Sequence, residues 1–279
     1  MYAGFYTSRK SADWLGAHQK FNRAAYAAVK DVLHDDIRGL PAQKQLTTFP
    51  GIKLINSFEG YNGPDGIKVK SPAQDEPWHY YDPFDDDDVK IFELINMHLG
   101  ELTEALIADN QAKAAFEASW LAHTLTDGMT PAHHYPYEEE MVAKIGRGND
   151  ERTSKSKKLI ATGENVFDTI RRNWQIHGGK GLLTTHIHFE AGINSAIITH
   201  RIVGGRPSDV ELDFAREKGL VEVFKRSAEQ IARMNLYGRF YTKGWNRKLA
   251  RRIRYELSPI IVRTIAIAWY LAMEQAANA

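Results

Sequence analysis

The chain has 279 residues, a formal net charge of +1, and 43% hydrophobic and 25% charged residues, as in an ordinary globular protein. So small a net charge creates no whole-molecule field that would attract nucleic acid or membranes, and any such attraction must be local. The sequence contains no cysteine, which excludes disulfides, thiolate metal sites and a cysteine nucleophile. The ligands of any bound metal must therefore be histidine, aspartate, glutamate or backbone groups.

The beginning of the chain and its hydropathy give no sign of export or membrane insertion. The start MYAGFYTSRKSADW lacks the charged-then-apolar order of a signal peptide. No apolar run reaches the roughly 18 residues of a membrane span. The sequence as written predicts a cytoplasmic protein without a transmembrane segment, secreted or periplasmic if a signal peptide has been removed.

Helical periodicity dominates the chain. HQKFNRAAYAAVKDVL and VKIFELINMHLGELTEALI repeat apolar residues at three- and four-residue spacing. NQAKAAFEASWLAHTLTD is rich in alanine and ends at Gly128, with Pro131 just beyond as a stop signal. The same periodicity predicts further helices at about 156–173, 183–202, 209–235 and 258–277. Ser258 is the predicted cap of the last helix, with Pro259 in its first turn.

The element pattern predicts an all-α fold, a multi-helix bundle that forms one domain over residues 1–279. Residues 37–84 interrupt the helical pattern because they are rich in proline and glycine. They predict a long loop, and a loop of this length in a compact domain is often functional.

Two pairs of side chains have the spacing of metal ligands. His123 and Asp127 are separated by four residues on one predicted helix, as are His186 and Glu190 on another, so that each pair lies on one helix face. Imidazole and carboxylate without thiolate form a ligand set suited to hydrolytic zinc. A single pair of this kind is more often a surface hydrogen bond or a capping contact. Two pairs, with His133 or His134 after a proline turn, shift the interpretation towards a metal site, and both interpretations stay open at this point.

Several motifs resemble one enzyme family. HTLTDGMTPAH resembles the His-x-x-x-Asp-x-x-x-Pro-x-His motif of the bacterial zinc-dependent phospholipase C and fungal single-strand nuclease superfamily. HQKFNRAA, HYYDP and HIHFE resemble three further ligand segments of that family, in the family's order. The resemblance runs from about residue 14 to the C-terminus and is thin between about 140 and 180. It implies an all-α zinc phosphodiester hydrolase with two or three zinc ions.

The resemblance also implies a ligand for each position. The first ion would be held by Asp65, His79, His123 and Asp127. Asp127 would bridge to a second ion on His18 and on the amine and carbonyl of the N-terminal residue, here Met1. A third, more loosely bound ion would be held by His133, His186 and Glu190.

Two of these assignments remain open in the sequence. Asp65 lies in GPDGIK at the family's distance before His79, but Glu59 in FEGY is a substitute. Met1 precedes His18 by 17 residues, a few more than the family spacing. The N-terminus therefore reaches the site, or processing creates a new terminus, or the second ion is weakened or absent. Asp65 and Glu190 are also predicted to orient the attacking water or to take its proton.

The substrate is predicted from the loop around His79. HYYDP and the glutamate of HIHFE favour the phospholipase branch. The predicted head-group residues are Glu76, Trp78, Tyr80 and Tyr81, since a carboxylate and aromatic rings attract a choline or ethanolamine cation. The same aromatics would stack on a nucleobase or simply anchor the loop. A basic run between Lys243 and Arg254 would meet anionic lipid or single-stranded nucleic acid, unless it is a solvated helix face.

A zinc-dependent phospholipase C-like enzyme is thus the leading hypothesis, with phospholipid or another phosphodiester as substrate. A single-strand nuclease or nucleotidase of the same fold, with nucleic acid as substrate, is the alternative within the enzymes. A non-catalytic helical protein that is stabilised by zinc is the alternative outside them. Structural zinc sites are usually closed, whereas a carboxylate-bridged cluster with few ligands per ion leaves positions for water.

Overall fold

The computed structural model describes residues 16–35, 49–72, 76–147 and 151–279. Within these residues the regular elements are helical and no strand is present, which confirms the all-α prediction. The helices are α1 Ala17–Asp35, α2 Ile52–Ser57, α3 Pro64–Lys70, α4 Lys90–Ile107, α5 Gln111–Gly128, α6 Tyr137–Ile145, α7 Lys155–Leu159, α8 Val166–His177, α9 Leu182–Ile197, α10 Asp209–Lys218, α11 Leu220–Arg233, α12 Leu236–Lys243, α13 Arg247–Arg252 and α14 Ser258–Ala277. A π turn, Ile253–Leu257, joins α13 to α14.

Helix α14 is the centre of the fold. It packs against α1, α4, α5, α10 and α11. Its Trp269 is fully buried, and the indole Nε1 donates to Ala118 O of α5 at 3.0 Å. The continuous helix Arg247–Ala277 is long and apolar enough to cross a membrane, but 89% of its apolar window is buried inside the protein. The apolar character of this helix is therefore explained by its position in the core.

Helix α5 positions the HTLTDG segment inside the molecule. Alanines at Ala114, Ala115, Ala118 and Ala122 are fully buried and let α5 lie close to its neighbours. Every residue from 121 to 133 is buried. A buried helix end that carries histidine and aspartate needs polar partners, since unpaired buried polar groups are costly.

The predicted long loop over residues 37–84 is only partly a loop. Residues 36–48 and 73–75 lie outside the described residues, but residues 49–72 contain α2, a 3₁₀ turn and α3. Helix α3 begins at Pro64, whose fixed φ suits the first helical position. These helices are too short for periodicity to reveal them, and tertiary contacts hold them in place. Of the described residues in this range, those that carry predicted site residues without regular structure are therefore mainly the segment around His79.

Two of the later predicted helices are interrupted. The one expected over 156–173 is divided into α7 and α8, because the Asn165 side chain accepts from Asp168 N at 2.9 Å and starts a new helix. The one expected over 209–235 is divided at Gly219, which has φ +85°. Glycine adopts this angle without the strain that a side chain would cause.

The prediction that Ser258 caps the last helix is wrong. Ser258 has helical backbone angles, φ −60° and ψ −40°, and its Oγ donates to Ile253 O at 2.7 Å. Pro259 lacks the N–H that an α-helical residue donates, and its ring would crowd the preceding turn. The π turn Ile253–Leu257 directly before it widens that turn, so the helix continues through the proline.

Candidate metal centre

The last turns of α5 and the first turn of α1 bring three ligand side chains together. His18 Nε2 lies 3.3 Å from Asp127 Oδ1, and His123 Nε2 lies 3.2 Å from Asp127 Oδ2. The two imidazoles are parallel, with ring centroids 3.9 Å apart. All three side chains are at least 97% buried. Asp127 therefore presents one carboxylate oxygen to each histidine, an arrangement suited to a carboxylate that bridges two ions.

The other edge of the His123 ring is held by a buried carboxylate. Glu59 Oε2 lies 3.0 Å from His123 Nδ1, and Glu59 Oε1 accepts from Asn22 Nδ2 at 3.2 Å. Asn22 lies one turn after His18 on α1, and its Nδ2 also lies 3.3 Å from Asn56 Oδ1. A carboxylate on one ring nitrogen orients a histidine and directs the other nitrogen to a metal.

Helix α3 adds Asp65 and an unexpected lysine to the same centre. Asp65 Oδ1 lies 3.7 Å from His123 Nε2. Lys68, one turn later, places its ammonium 3.2 Å from Asp65 Oδ1 and 2.8 Å from Asp127 Oδ2. The lysine thus binds two of the predicted ligand carboxylates. The sequence signal for Lys68 is its position three residues after Asp65, which places both on one face of a helix. This signal is not visible without α3, which the sequence pattern does not predict as a helix.

A second group of ligands forms where the turn after α5 meets α9. His133 Nε2 and His186 Nε2 lie 2.9 Å and 3.0 Å from the same Glu190 oxygen, Oε1. The two imidazoles are nearly parallel, with centroids 5.0 Å apart. His133 Nδ1 faces His79 O at 3.1 Å, so its other nitrogen is directed to Glu190. The structure therefore brings together the three residues predicted for the third ion.

His79 lies beside this second group. Its ring centroid is 5.1 Å from that of His133, and its Nδ1 faces Pro77 O at 2.9 Å. The described residues contain three groups of possible ligands whose atoms lie within 4.8 Å of one another, and His79 belongs to none of them. These groups are His18, Glu59 and His123; Asp65, His123 and Asp127; and His133, His186 and Glu190. Met1, the remaining predicted ligand, lies outside the described residues.

Burial and nearby charges shift the pKa values of His123, Asp127 and His133 in different directions. Burial alone would lower the pKa of His123, but the carboxylates of Asp127 and Glu59 raise it to about 9. Burial would raise the pKa of Asp127, but the Lys68 ammonium and His123 hold it well below its usual range. Burial lowers the pKa of His133 to about 4. A neutral imidazole is the form that binds a metal.

The predicted head-group residues are in different environments. The Glu76 carboxylate forms an ion pair with Lys158. Tyr81 is buried, and its ring packs against Phe92 and Phe224 in the core. Trp78 and Tyr80 line a pocket of about 270 Å³ next to His133. The other residues that line this pocket are Tyr81, Asp82, Asp85, Asp87, Asp88, Lys90, His134, Tyr135, Pro136 and Glu139.

The groups that orient the ligand histidines are Glu59 and backbone carbonyls, not the polar side chains next to the histidines in sequence. Thr130 Oγ1 donates to Thr126 O within its own turn, and Asp82 Oδ1 accepts from Phe84 N. The ring nitrogens of His123, His79 and His133 instead face Glu59 and two backbone carbonyls. Backbone carbonyls leave no mark in a sequence, so these partners could not be read from residue types.

Comparisons with protein-family models, with curated proteins and with solved structures found no match to this chain. The resemblance to zinc phospholipases C and single-strand nucleases therefore stays a prediction from the motifs. The function has to be argued from the geometry and charge of the two ligand groups.

Proposed function

We propose that the protein is a zinc-dependent phosphodiester hydrolase of the phospholipase C type. The observation that supports this most strongly is the buried convergence of His18, His123 and Asp127 from two helices that are distant in sequence. A second imidazole–carboxylate group follows within a few residues of Asp127. Buried imidazoles and carboxylates that converge on one point from several helices form a ligand set that suits a divalent cation.

The donor set fits divalent zinc. Asp65, His123 and Asp127 would hold one ion, and His18 would share Asp127 for another. His133, His186 and Glu190 would hold the third. His123 Nε2 is buried, with carboxylate oxygens of Asp127 and Asp65 3.2 and 3.7 Å away, so that the three ligand atoms face one point. When bound, the ions would lower the pKa of water towards neutrality and neutralise charge on phosphate oxygens.

We assign Glu59 the role of orienting His123. We assign Asp65 the role of binding the ion. Both oxygens of Glu59 are engaged, one by His123 and one by Asn22, and the side chain is fully buried. Asp65 lies on the Nε2 side of His123 and keeps 18% of its side chain exposed. Asp65 is therefore the carboxylate that reaches solvent, and we assign it the role of orienting the attacking water and accepting its proton. Glu190 is the equivalent candidate in the second group.

Lys68 supplies a fixed positive charge at the same place. Its ammonium binds carboxylate oxygens of Asp65 and Asp127, and Asp127 and Asp65 raise its pKa above the ordinary lysine value. A phosphodiester that enters the centre brings negative charge beside these carboxylates. Lys68 would then turn to the phosphate oxygens and offset that repulsion in the transition state.

The pocket beside His133 favours a cationic head group over a polynucleotide. Five carboxylates line it, from four aspartates and Glu139, against the single ammonium of Lys90. A single-stranded nucleic acid would be repelled by this charge, since phosphate binding dominates its affinity. A choline or ethanolamine cation is attracted by carboxylates and by aromatic faces. The Trp78 ring already binds one cation, because the Lys90 ammonium lies 4.3 Å from its centroid. This pocket is the reason for placing phospholipid before nucleic acid.

The proposal is tested by zinc content and substrate choice measured together. Protein purified without added metal is analysed for zinc per chain by mass spectrometry and assayed with a soluble phosphocholine ester and with single-stranded DNA. We expect two or three zinc ions and hydrolysis of the ester in preference to DNA. His186→Asn should lose one ion and most activity. His188→Asn, two residues away on the exposed side of α9, is the matched control and should lose neither.

Each other outcome has a definite meaning. Zinc binding with hydrolysis of DNA alone would assign the chain to the nuclease alternative. Zinc binding without hydrolysis of either substrate would leave a zinc-stabilised helical protein. Absence of zinc, with none taken up on titration, would overturn the metal centre itself.

A further inference from the structure

Helix α8 carries its large apolar side chains on the side that faces solvent. Val166, Phe167, Ile170 and Trp174 have exposed fractions of 72%, 85%, 60% and 73%. Because successive residues of an α-helix are about 100° apart, these four positions fall within an arc of roughly 100°. They form one continuous apolar surface along the helix, the α8 stripe.

The opposite side of the helix fixes this orientation. Ile176 is fully buried with Met141 and Ile145 in a small second core. Asn173 Nδ2 donates to Ala161 O at 2.8 Å, and Asn173 Oδ1 accepts from Ala161 N at 3.2 Å. Turning the stripe inward would break these contacts, so its exposure is a built feature of the fold.

The segment around α8 is basic although the chain as a whole is almost neutral. Residues 144–180 contain nine lysines and arginines but only four aspartates and glutamates, a formal charge of +5 in a chain of +1. Four of the nine form ion pairs, Lys144 with Glu140, Lys158 with Glu76, and Arg171 and Arg172 with Asp168. Lys157, Arg171 and Lys180 are exposed in this segment. An apolar surface with tryptophan and phenylalanine among exposed basic residues is typical of a helix that lies in the interface of an anionic membrane.

We propose that the α8 stripe docks on a phospholipid bilayer that contains anionic lipids, with Phe167 and Trp174 inserted among the head groups. Leu159 and Ile160, which are 38% and 51% exposed, lie beside the C-terminal end of this helix, where His177 Nε2 faces Leu159 O at 2.9 Å. Contiguous exposed apolar surface of this kind marks an interaction site. The surrounding positive charge selects an anionic lipid surface as the occupant, because a purely apolar partner would gain nothing from it.

One end of the stripe lies near the pocket that contains His133. Trp174 lines a pocket of about 360 Å³ together with Tyr135 and Tyr237. Tyr135 also lines the pocket that contains His133. A bilayer on α8 would place head groups beside this pocket. The inference that docking delivers substrate to the site rests on the proposed phospholipase activity. The docking itself does not.

Co-sedimentation with vesicles tests the docking without requiring hydrolysis. The full chain is mixed on ice with vesicles of phosphatidylcholine alone or with phosphatidylglycerol added, and the bound fraction is measured. We expect binding to the anionic vesicles, reduced at least about tenfold by Phe167→Ser with Trp174→Ser, because each large apolar side chain contributes about one order of magnitude or more when it leaves water. Val210→Ser with Ile107→Ser removes similarly exposed apolar groups elsewhere and should leave binding unchanged.

Two further measurements identify the contact surface. Tryptophan emission should shift to shorter wavelength on anionic vesicles, and Trp174→Phe should abolish most of that shift while it preserves binding. Lys157→Glu with Lys180→Glu should weaken binding, and added salt should weaken the wild type in the same way.

The soluble phosphocholine ester separates failure of this proposal from failure of the proposed function. Docking variants should retain wild-type turnover of the ester and lose turnover of vesicle lipid. If neither substrate is hydrolysed, sedimentation still reports docking. Wild type that stays in the supernatant, or a double variant that binds as well as wild type, would overturn the proposal. Self-association that the double variant abolishes, without vesicle binding, would assign the stripe to a second copy of this chain.

Discussion

Asp127 and Glu59 illustrate two different uses of a buried carboxylate at the scale of single residues. Asp127 faces the Nε2 atoms of His18 and His123, whereas Glu59 faces His123 Nδ1 and is held by Asn22. Removing a metal ligand removes an ion. Removing a residue that orients a ligand only weakens binding, typically by 10–100-fold.

Glu59→Gln therefore tests the division of roles between Glu59 and Asp65. The amide keeps the size of the side chain but loses the charge that fixes the His123 ring. We expect the zinc content at saturation to be unchanged and the affinity to fall about tenfold or more, measured by competition with a chelating dye. Glu104→Gln, on the exposed side of α4, is the control. Loss of a whole ion on Glu59→Gln would instead make Glu59 the ligand.

Lys68 competes with a metal for the oxygens that it binds. Lys68→Met should tighten zinc binding by at least about tenfold, because a partly buried ammonium within a few ångströms repels a divalent ion. The same change should reduce turnover, since phosphate loses a positive partner. Lys70→Met, on the same helix with its ammonium on Tyr61 O, should alter neither quantity. Weaker zinc binding in Lys68→Met would show that the lysine supports the metal site and does not compete with it.

At the scale of elements, the position of the site depends on how closely α5 approaches its neighbours. Gly128 ends α5 directly after Asp127, and a Cβ there would come within 2.4 Å of Ile91 Cδ1 and 2.7 Å of Phe224 Cζ. Both contacts are shorter than any that real side chains make. A larger residue would push α5 away from α4 and α11 and move Asp127 with it.

Gly128→Ala should accordingly lower the free energy of unfolding by about 1–3 kcal/mol, the usual cost of overpacking a core. Gly100→Ala is the matched control, because no atom lies within 4 Å of the added Cβ in the middle of α4. It should raise stability by about 0.5–1 kcal/mol, since alanine loses less backbone freedom than glycine in a helix. Denaturant unfolding of both variants measures the difference, and equal effects would contradict the packing argument.

The same elements show what the sequence could and could not reveal. His123 with Asp127 and His186 with Glu190 were predictable, because a four-residue spacing on a strongly periodic helix fixes a common face. Helix α3 was not, because only seven residues form it. It closes so tightly that a Cβ on Gly66 would meet Tyr61 O at 2.0 Å. Only this tertiary fit places Lys68 on the carboxylates of two different helices.

At the scale of the whole molecule, charge is divided between surfaces with different tasks. The segment that contains α8 is strongly positive, whereas the pocket beside His133 is lined by five carboxylates. An anionic bilayer attracts the first surface and repels the second. The pocket would then stay open to the cationic end of a zwitterionic head group. The near-neutral total of +1 conceals this division.

Metal binding should also link the helices of the bundle into one stable unit. The proposed ligands come from α1, α3, α5, the turn after α5 and α9, so an ion that binds only the folded chain joins elements distant in sequence. Such an ion stabilises the fold by mass action, by about 2.7 kcal/mol when its free concentration is 100 times its dissociation constant. Without it, the carboxylates of Asp65 and Asp127 face the Lys68 ammonium and the imidazoles of His18 and His123.

Removal of zinc should therefore lower the melting temperature by at least about 5 °C, given a shift of roughly 2–4 °C per kcal/mol for a chain of this size. The loss should be restored by zinc in proportion to the logarithm of its concentration, and more weakly by magnesium, which disfavours imidazole ligands. Lys68→Met should melt lower than wild type in chelator, because buried carboxylates lose their partner, and should approach wild type when zinc is added. Differential scanning calorimetry of both proteins with and without zinc measures these shifts. If zinc changes the melting temperature of neither wild type nor Lys68→Met, the buried cluster does not bind zinc. Lys68 would then be the permanent counter-ion of the cluster's carboxylates.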